Sequence, residues 1–371
     1  MRYELRNLLF KRWGLWLILG FLLAKVILFS LDYTTEESAN LFVFTPDTGT
    51  YDAIVAEHTG PLTAETIADL RAEIKRCDNA EQALNTAYYN YISGQTSYEN
   101  FCLTADKLTP YAERAGKGTR RLSRQLDYIE EAPADRWLID ERGWVDLLRR
   151  QSPDFLLVLL ILLLAAPAFC TDYTAEMDQL LLTTAKGRAT LALRKWAGTA
   201  LVCGGATLVF RLIEYAVIGL AQGLPCPNAP LTSVTLFADS TRGLTLFGAF
   251  ALTAGIQVLG ALLLASLVLL ISVCLRRPLA VLSVATSALL IPYLMLPNAW
   301  DVQFLLPLGF FLPTNYLRTD EVLTSVIEEI VRFRGLSDGG LLALIVGAIA
   351  VTALLVLLIG RVYVHRRLWR R

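Results

Sequence analysis

Hydrophobic and polar positions along this chain fall into long blocks, without the short period of an amphipathic surface. A bilayer core of about 30 Å asks for about 20 apolar residues in helical form. Six blocks approach that length with few charges: residues 13–31, 155–170, 196–220, 244–275, 279–296 and 341–362. The second is short and ends in AAPAFC, whereas the fourth is long enough to require tilt or to project beyond the bilayer. The pattern predicts an all-α polytopic membrane protein with six transmembrane helices.

Between the first two blocks lies 32–154, the only polar stretch large enough to fold in water. Within it, GPLTAETIADLRAEIKRCDNAEQALNTAYYNYISG offers side-chain caps at Thr63 or Thr66, ahead of Ile67, Leu70 and Ile74 at helical spacing. The later part, DKLTPYAERAGKGTRRLSRQLDYIEEAPADRWLIDERGWVDLLRRQSPDF, keeps periodic apolar positions and enters the second block without a flexible linker. A mostly helical extracytoplasmic domain held close to the membrane is expected. The remaining segments read as a basic start (1–12), a polar insert (171–195), an external loop (221–243), an external segment with an amphipathic part (297–340) and a basic tail (363–371).

Charge sets the orientation. Arg2, Arg6, Lys11 and Arg12 precede the first block, and Lys186, Arg188, Arg194 and Lys195 lie in the insert. Arg276 and Arg277 fill the turn between blocks four and five, and the C-terminal RVYVHRRLWRR (361–371) carries five arginines. These short segments share one side of a six-span chain, and positive charge marks that side as cytoplasmic, with both termini there. The apolar run of the first block is long for a cleavable signal and no A-x-A-like site follows it, so it is expected to stay as an anchor. With 54% hydrophobic and 18% charged residues, the composition points away from a soluble protein.

The chemistry is mostly a matter of exclusion. AGKGTRR at 115–121 lacks the first glycine of a P-loop and lies outside, where ATP is not available. His58 and His365 are the only histidines and fall on opposite sides, so no histidine metal site is expected. Glu328, Glu329 and Arg332 have EExxR spacing on an amphipathic segment, which reads as a surface helix and not as an intramembrane protease. No nucleophile, base and orienter group at useful spacing, so no catalytic residue is assigned. No basic patch interleaved with aromatics points to nucleic acid, and the net charge is zero. Cys77 and Cys102 share the external domain, where they can form a disulfide or remain two buried thiols; spacing decides neither.

Three ionisable residues interrupt the apolar blocks: Lys25 in the first, and Arg211 with Glu214 in the third. Charges in lipid are expensive and usually pair, snorkel or face a polar interior. The plain expectation is a local Arg211–Glu214 pair, three apart on one helix face, with Lys25 snorkelling outward. The alternative is a polar part of a translocation route. In the insert, TDYTAEMDQLLLTTAKGRATLALRKWAG, Asp172 or Thr174 caps a short helix whose first turn holds Glu176 and Asp178. Met177, Leu180, Leu181 and Thr184 share one face, and Gly187 can end it. Such a helix either anchors in the headgroup region or docks a cytosolic partner.

The basic start MRYELRNLLFKRWGLWLIL, the six blocks, the acidic segment and Leu run closing in a K-G-R turn, and the late FLLPLGFFLPTNYL together resemble the membrane subunits of ATP-binding-cassette exporters of the ABC-2 permease family. The likeness is to the kind with a large external domain between spans one and two, and it covers most of the chain. It implies that 1–12 is an interfacial helix and that 297–340 is partly re-entrant. It also implies that the insert is a coupling helix resting in a groove of a separate ATPase, with Glu176, Asp178, Gln179, Thr183, Lys186 and Arg188 as contact residues. It further implies that ATP and Mg are bound by the partner, none by this chain, and that the chain is not itself an enzyme. A cytosolic ABC ATPase, a second or homologous permease copy and membrane lipid are the implied partners, in a bacterial cytoplasmic membrane. Many relatives carry Gly-Thr after the acidic residue where this chain has Met177-Asp178-Gln179, so the resemblance does not fix the register of the contact. The other reading open at this stage is a membrane-anchored sensor or assembly protein acting through its external domain.

Overall fold

The structure is a computed structural model that describes residues 6, 14–39, 54–112, 119, 122–123, 125–127, 136–149, 154–174, 189–238, 240, 242–275, 277–295, 313–317, 323 and 338–365. The fold is mostly helical and divides into two compact units. One comprises 1–31, 146–221 and 248–371; the other comprises 32–145 and 222–247.

The first unit holds the apolar helices α1 (Gly14–Ala39), α5 (Phe155–Ala165), α6 (Pro167–Thr174), α7 (Ala189–Ala221), α8 (Leu246–Cys274), α9 (Pro278–Met295), α10 (Pro313–Leu317) and α11 (Asp338–His365). Three stretches are long and apolar enough to cross a membrane: Thr190–Ala221, Leu246–Cys274 and Asp338–Tyr363. The sequence predicts six such spans, and the described residues give three. The other expected blocks coincide with shorter apolar helices, Gly14–Leu28, Phe155–Cys170 and Pro278–Leu289. Two of these belong to longer helices: α1 runs over 26 residues to Ala39 and α9 over 18 residues to Met295, about 39 and 27 Å at ~1.5 Å per residue.

Side-chain contacts fix helix directions. Lys195, early in α7, donates to Ala168 O in α6, while Glu214, late in α7, reaches Lys25, which also holds Asp154 just ahead of α5. The α5–α6 pair therefore runs antiparallel to α7. Late Ser272 of α8 meets Ala166, and early Thr253 meets Arg211, so α8 also opposes α7. Tyr363, late in α11, stacks on Phe169, giving α11 the same sense as α5–α6. The end of α6, the start of α7 and the ends of α8 and α11 thus gather at one end of the bundle.

The break between α5 and α6 has a local cause. Pro167 has no N–H and cannot continue the α5 ladder. Buried Ser272 covers the gap: its hydroxyl donates to Ala166 O at 2.7 Å and accepts from Phe169 N at 3.3 Å. Further along α8, Gly260 lies against α10 so closely that an added Cβ would sit 2.5 Å from Tyr316 Cβ. Tyr316 is fully buried, and its hydroxyl donates to Leu344 O of α11 at 3.4 Å.

The second unit is built on α2 (Ala64–Ile92) and α3 (Tyr98–Ala112), an antiparallel hairpin. Thr63 caps α2 as its sequence predicts, its hydroxyl accepting from Thr66 N at 3.2 Å. Gly94, at φ 73°, turns the chain between the helices, in the left-handed region that glycine occupies without cost. Ile54, Val55, Leu70, Leu122, Leu126 and Leu138 form the buried core. A two-residue ribbon, β1 (Gly60–Pro61) with β2 (Trp137–Leu138), and helix α4 (Arg142–Leu148), which starts in this unit, complete the first part of it.

The segment 221–243, expected as a separate loop, folds with this unit. Trp137 N donates to Ser233 Oγ at 2.9 Å, Arg136 to Ala238 O at 2.9 Å, and Trp144 Nε1 to Pro225 O at 2.8 Å. The Glu141 carboxylate accepts from Thr235 N at 2.7 Å and from its hydroxyl.

Candidate functional site

Two polar constellations stand inside the apolar bundle. The first joins α1, α5 and α7. Lys25 Nζ lies 2.7 Å from Asp154 Oδ2 and 2.8 Å from Glu214 Oε1. Glu214 Oε2 accepts from Arg211 Nη1 at 2.5 Å, and Arg211 Nη2 donates to Thr253 Oγ1 of α8 at 3.3 Å. The guanidinium also stands over the Phe250 ring, 5.2 Å from its centroid, and Phe250 packs on Tyr215. Lys25, Arg211 and Glu214 are buried to 5% exposure or less.

Two cations and two carboxylates make this network formally neutral. Each charge has an opposite partner, the condition under which buried ions persist, whereas removing one partner strands the others at a cost of about 3–5 kcal/mol. The Arg211–Glu214 pair is as the sequence predicts. Lys25 is not: it does not snorkel outward, because two carboxylates reach its ammonium within the bundle. Asp154 went unmarked as a member. It has two duties, since its Oδ1 accepts from Leu156 N and Leu157 N at 3.1 and 3.2 Å, capping α5, while Oδ2 takes Lys25.

The second constellation lies at the root of segment 175–188. Lys195, 5% exposed, donates to Ala168 O at 2.7 Å and stands over the Phe169 ring, 5.1 Å from its centroid. Phe169 packs on Tyr363 with centroids 5.4 Å apart. Cys170 Sγ lies 3.5 Å from Leu275 O and 3.7 Å from Ser272 Oγ. Next to Lys195, Trp196 Nε1 donates to Ser266 Oγ at 2.8 Å. The helices flanking 175–188 are therefore tied to each other and to α8 and α11 at that point. Glu176, Asp178, Gln179, Thr183, Lys186 and Arg188 themselves lie outside the described residues, as do Glu328, Glu329 and Arg332.

In the second unit Cys77 and Cys102 are both in the thiol form, the first buried and the second half-buried. Exposed Tyr98 hydrogen-bonds Cys102, and that bond is the main reason its phenol is held above the usual tyrosine range. Around it the tip of the α2–α3 hairpin carries a group of rings: Tyr91 stacks on Phe101 with centroids 5.2 Å apart, and Tyr88 and Tyr98 flank them. Among the described residues no group of three or more His, Cys, Asp and Glu side chains is placed to hold a metal ion. Comparison with protein-family models, curated proteins and solved structures finds no match.

Proposed function

We propose that this chain is the permease subunit of an ATP-binding-cassette exporter of the ABC-2 kind. It crosses the cytoplasmic membrane six times with both termini inside, and works as a dimer with a separate cytosolic ATPase that supplies ATP and Mg. The cargo class is a lipid, peptide antibiotic, drug or similar molecule leaving the cytoplasm or inner leaflet. The external domain tunes capture or release and carries no catalysis.

The observation that carries the reading is the clamped root of segment 175–188. A push received by a polar segment reaches the spans only if its flanking helices are stiffly joined to them. Lys195 on Ala168 O, Phe169 on Tyr363 and Trp196 on Ser266 supply that stiffness with buried contacts. An anchor resting passively in headgroups has no need of it. The resemblance then supplies the partner: closure of an ATPase pair moves the segment, and the clamped helices pass that motion along the bundle.

The test is recovery of the ATPase with Glu176→Lys/Asp178→Lys. Reversing two charges in the first turn opposes the helix dipole and the partner's groove. ATPase recovery is expected to fall at least tenfold, about 1.4 kcal/mol of association, with the permease still inserted. A passive anchor behaves differently: added lysines strengthen membrane contact by about 1 kcal/mol each and leave ATPase recovery unchanged. Undiminished recovery together with normal export contradicts the proposal.

A further inference from the structure

The network of Lys25, Asp154, Glu214 and Arg211 has no part in holding an ATPase, yet it occupies the interior of the bundle where apolar packing would serve for cohesion alone. Replacing buried ion pairs with well-packed apolar residues is often neutral or stabilising, so such a network is poor evidence of a need for stability. What ions do differently is respond to water. Their attraction scales inversely with the local dielectric constant, so it is strong while the site is dry and collapses once water enters. Entry of water therefore releases an ionic contact that holds while the bundle is dry.

The placement suits that property. Lys25 links α1 to two carboxylates, Asp154 at the cap of α5 and Glu214 on α7. Asp154 is also the cap of α5, so moving that helix start moves the carboxylate with it. Arg211 keeps Glu214 charged-paired on its own helix whether or not Lys25 is in place. Withdrawal of Lys25 therefore removes the charged contact between α1 and the α5–α7 pair, and leaves the apolar packing of Leu17, Ile18, Phe21 and Leu22 and the Arg211–Glu214 pair in place.

We propose that Lys25, bridging Asp154 and Glu214, is a latch that holds α1 against α5 and α7 in the state described here, and that its release is a discrete conformational step of the bundle. The proposal concerns this chain alone and needs no nucleotide, so it stands or falls separately from the exporter reading.

The experiment places spin labels at Ile27 and Leu220, both exposed, at 50% and 90%, on α1 and α7. Because the chain has six native cysteines, the labels are attached through introduced keto side chains, in full-length protein in lipid nanodiscs without ATP. The unaltered chain is expected to give one dominant distance. Lys25→Met leaves two carboxylates facing without their shared cation and is expected to shift the major population to a second, longer distance. Lys25→Arg, which restores the charge and both donors, is expected to return it. Where Lys25→Met fails to accumulate, the isosteric Glu214→Gln serves, with the same shift expected at smaller amplitude. An unchanged distance distribution in Lys25→Met, or in Glu214→Gln, overturns the latch. So does a general broadening without a second distance, which is what loss of a static brace produces.

Discussion

A lysine inside an apolar bundle persists only where carboxylates meet it, and Lys25 meets two. The sequence flags Lys25, Arg211 and Glu214 because a charge within an apolar block stands out. It does not flag Asp154 or Lys195, which sit at block edges and count there as boundary charges; only the fold shows both turned into buried contacts. Two further residues make quantitative claims. Gly260→Ala puts a Cβ 2.5 Å from Tyr316 Cβ, an overpacking expected to destabilise by about 1–3 kcal/mol. The apparent unfolding temperature of the detergent-solubilised chain should fall accordingly, and an unchanged temperature would mean that α10 does not press on α8. Ser272→Ala removes the cover from the Ala166 carbonyl and the Phe169 N–H, at about 1–3 kcal/mol for buried groups left without their bonds. Hydrogen exchange at Phe169 should rise in that variant; equal protection would show that the break at Pro167 needs no patch.

Helices were more legible than their ends. The helix α7 begins at Ala189, ahead of the apolar block 196–220, because Arg194 and Lys195 are good helix formers and carry the helix through the polar residues before that block. The block 155–170 likewise hid a break, although its Pro167 was in view: without the partner Ser272, a proline does not say whether a helix bends or stops. Helix α2 is plainer in the sequence. Its Thr63 cap and the apolar spacing from Ile67 to Ile74 point the same way, and local agreement of this kind is what makes an element readable. At Gly94, φ 73° admits an alanine only with strain. Gly94→Ala is expected to cost about 1–2 kcal/mol and to increase protease cleavage between α2 and α3; a turn that cleaves no faster would contradict the left-handed assignment.

At the scale of the molecule, the joining of 222–247 to the unit built on 32–145 was not legible. The bonds that make it, such as Trp137 to Ser233 and Arg136 to Ala238, link residues about a hundred positions apart with no motif at either end. The antiparallel order of α7 against α5–α6, α8 and α11 was legible in outline, since blocks that cross a membrane in turn must alternate. A lone six-span half carries only part of a translocation path, so the proposed permease should pair: single-molecule bleaching in native membranes is expected to show two steps, and single steps with the ATPase present would count against it.

The account's central claim is that a push at 175–188 reaches the far end of the bundle through the Lys195 clamp. The measurement is the Ile27–Leu220 label distance in the permease–ATPase complex, with and without a non-hydrolysable ATP analogue. The account predicts a longer distance with nucleotide in the unaltered chain. In Lys195→Met, which loses the bond to Ala168 O and the contact with Phe169, nucleotide should still bind but leave the distance where it was. A distance in the unaltered complex that ignores nucleotide, or one that lengthens equally in Lys195→Met, would contradict it.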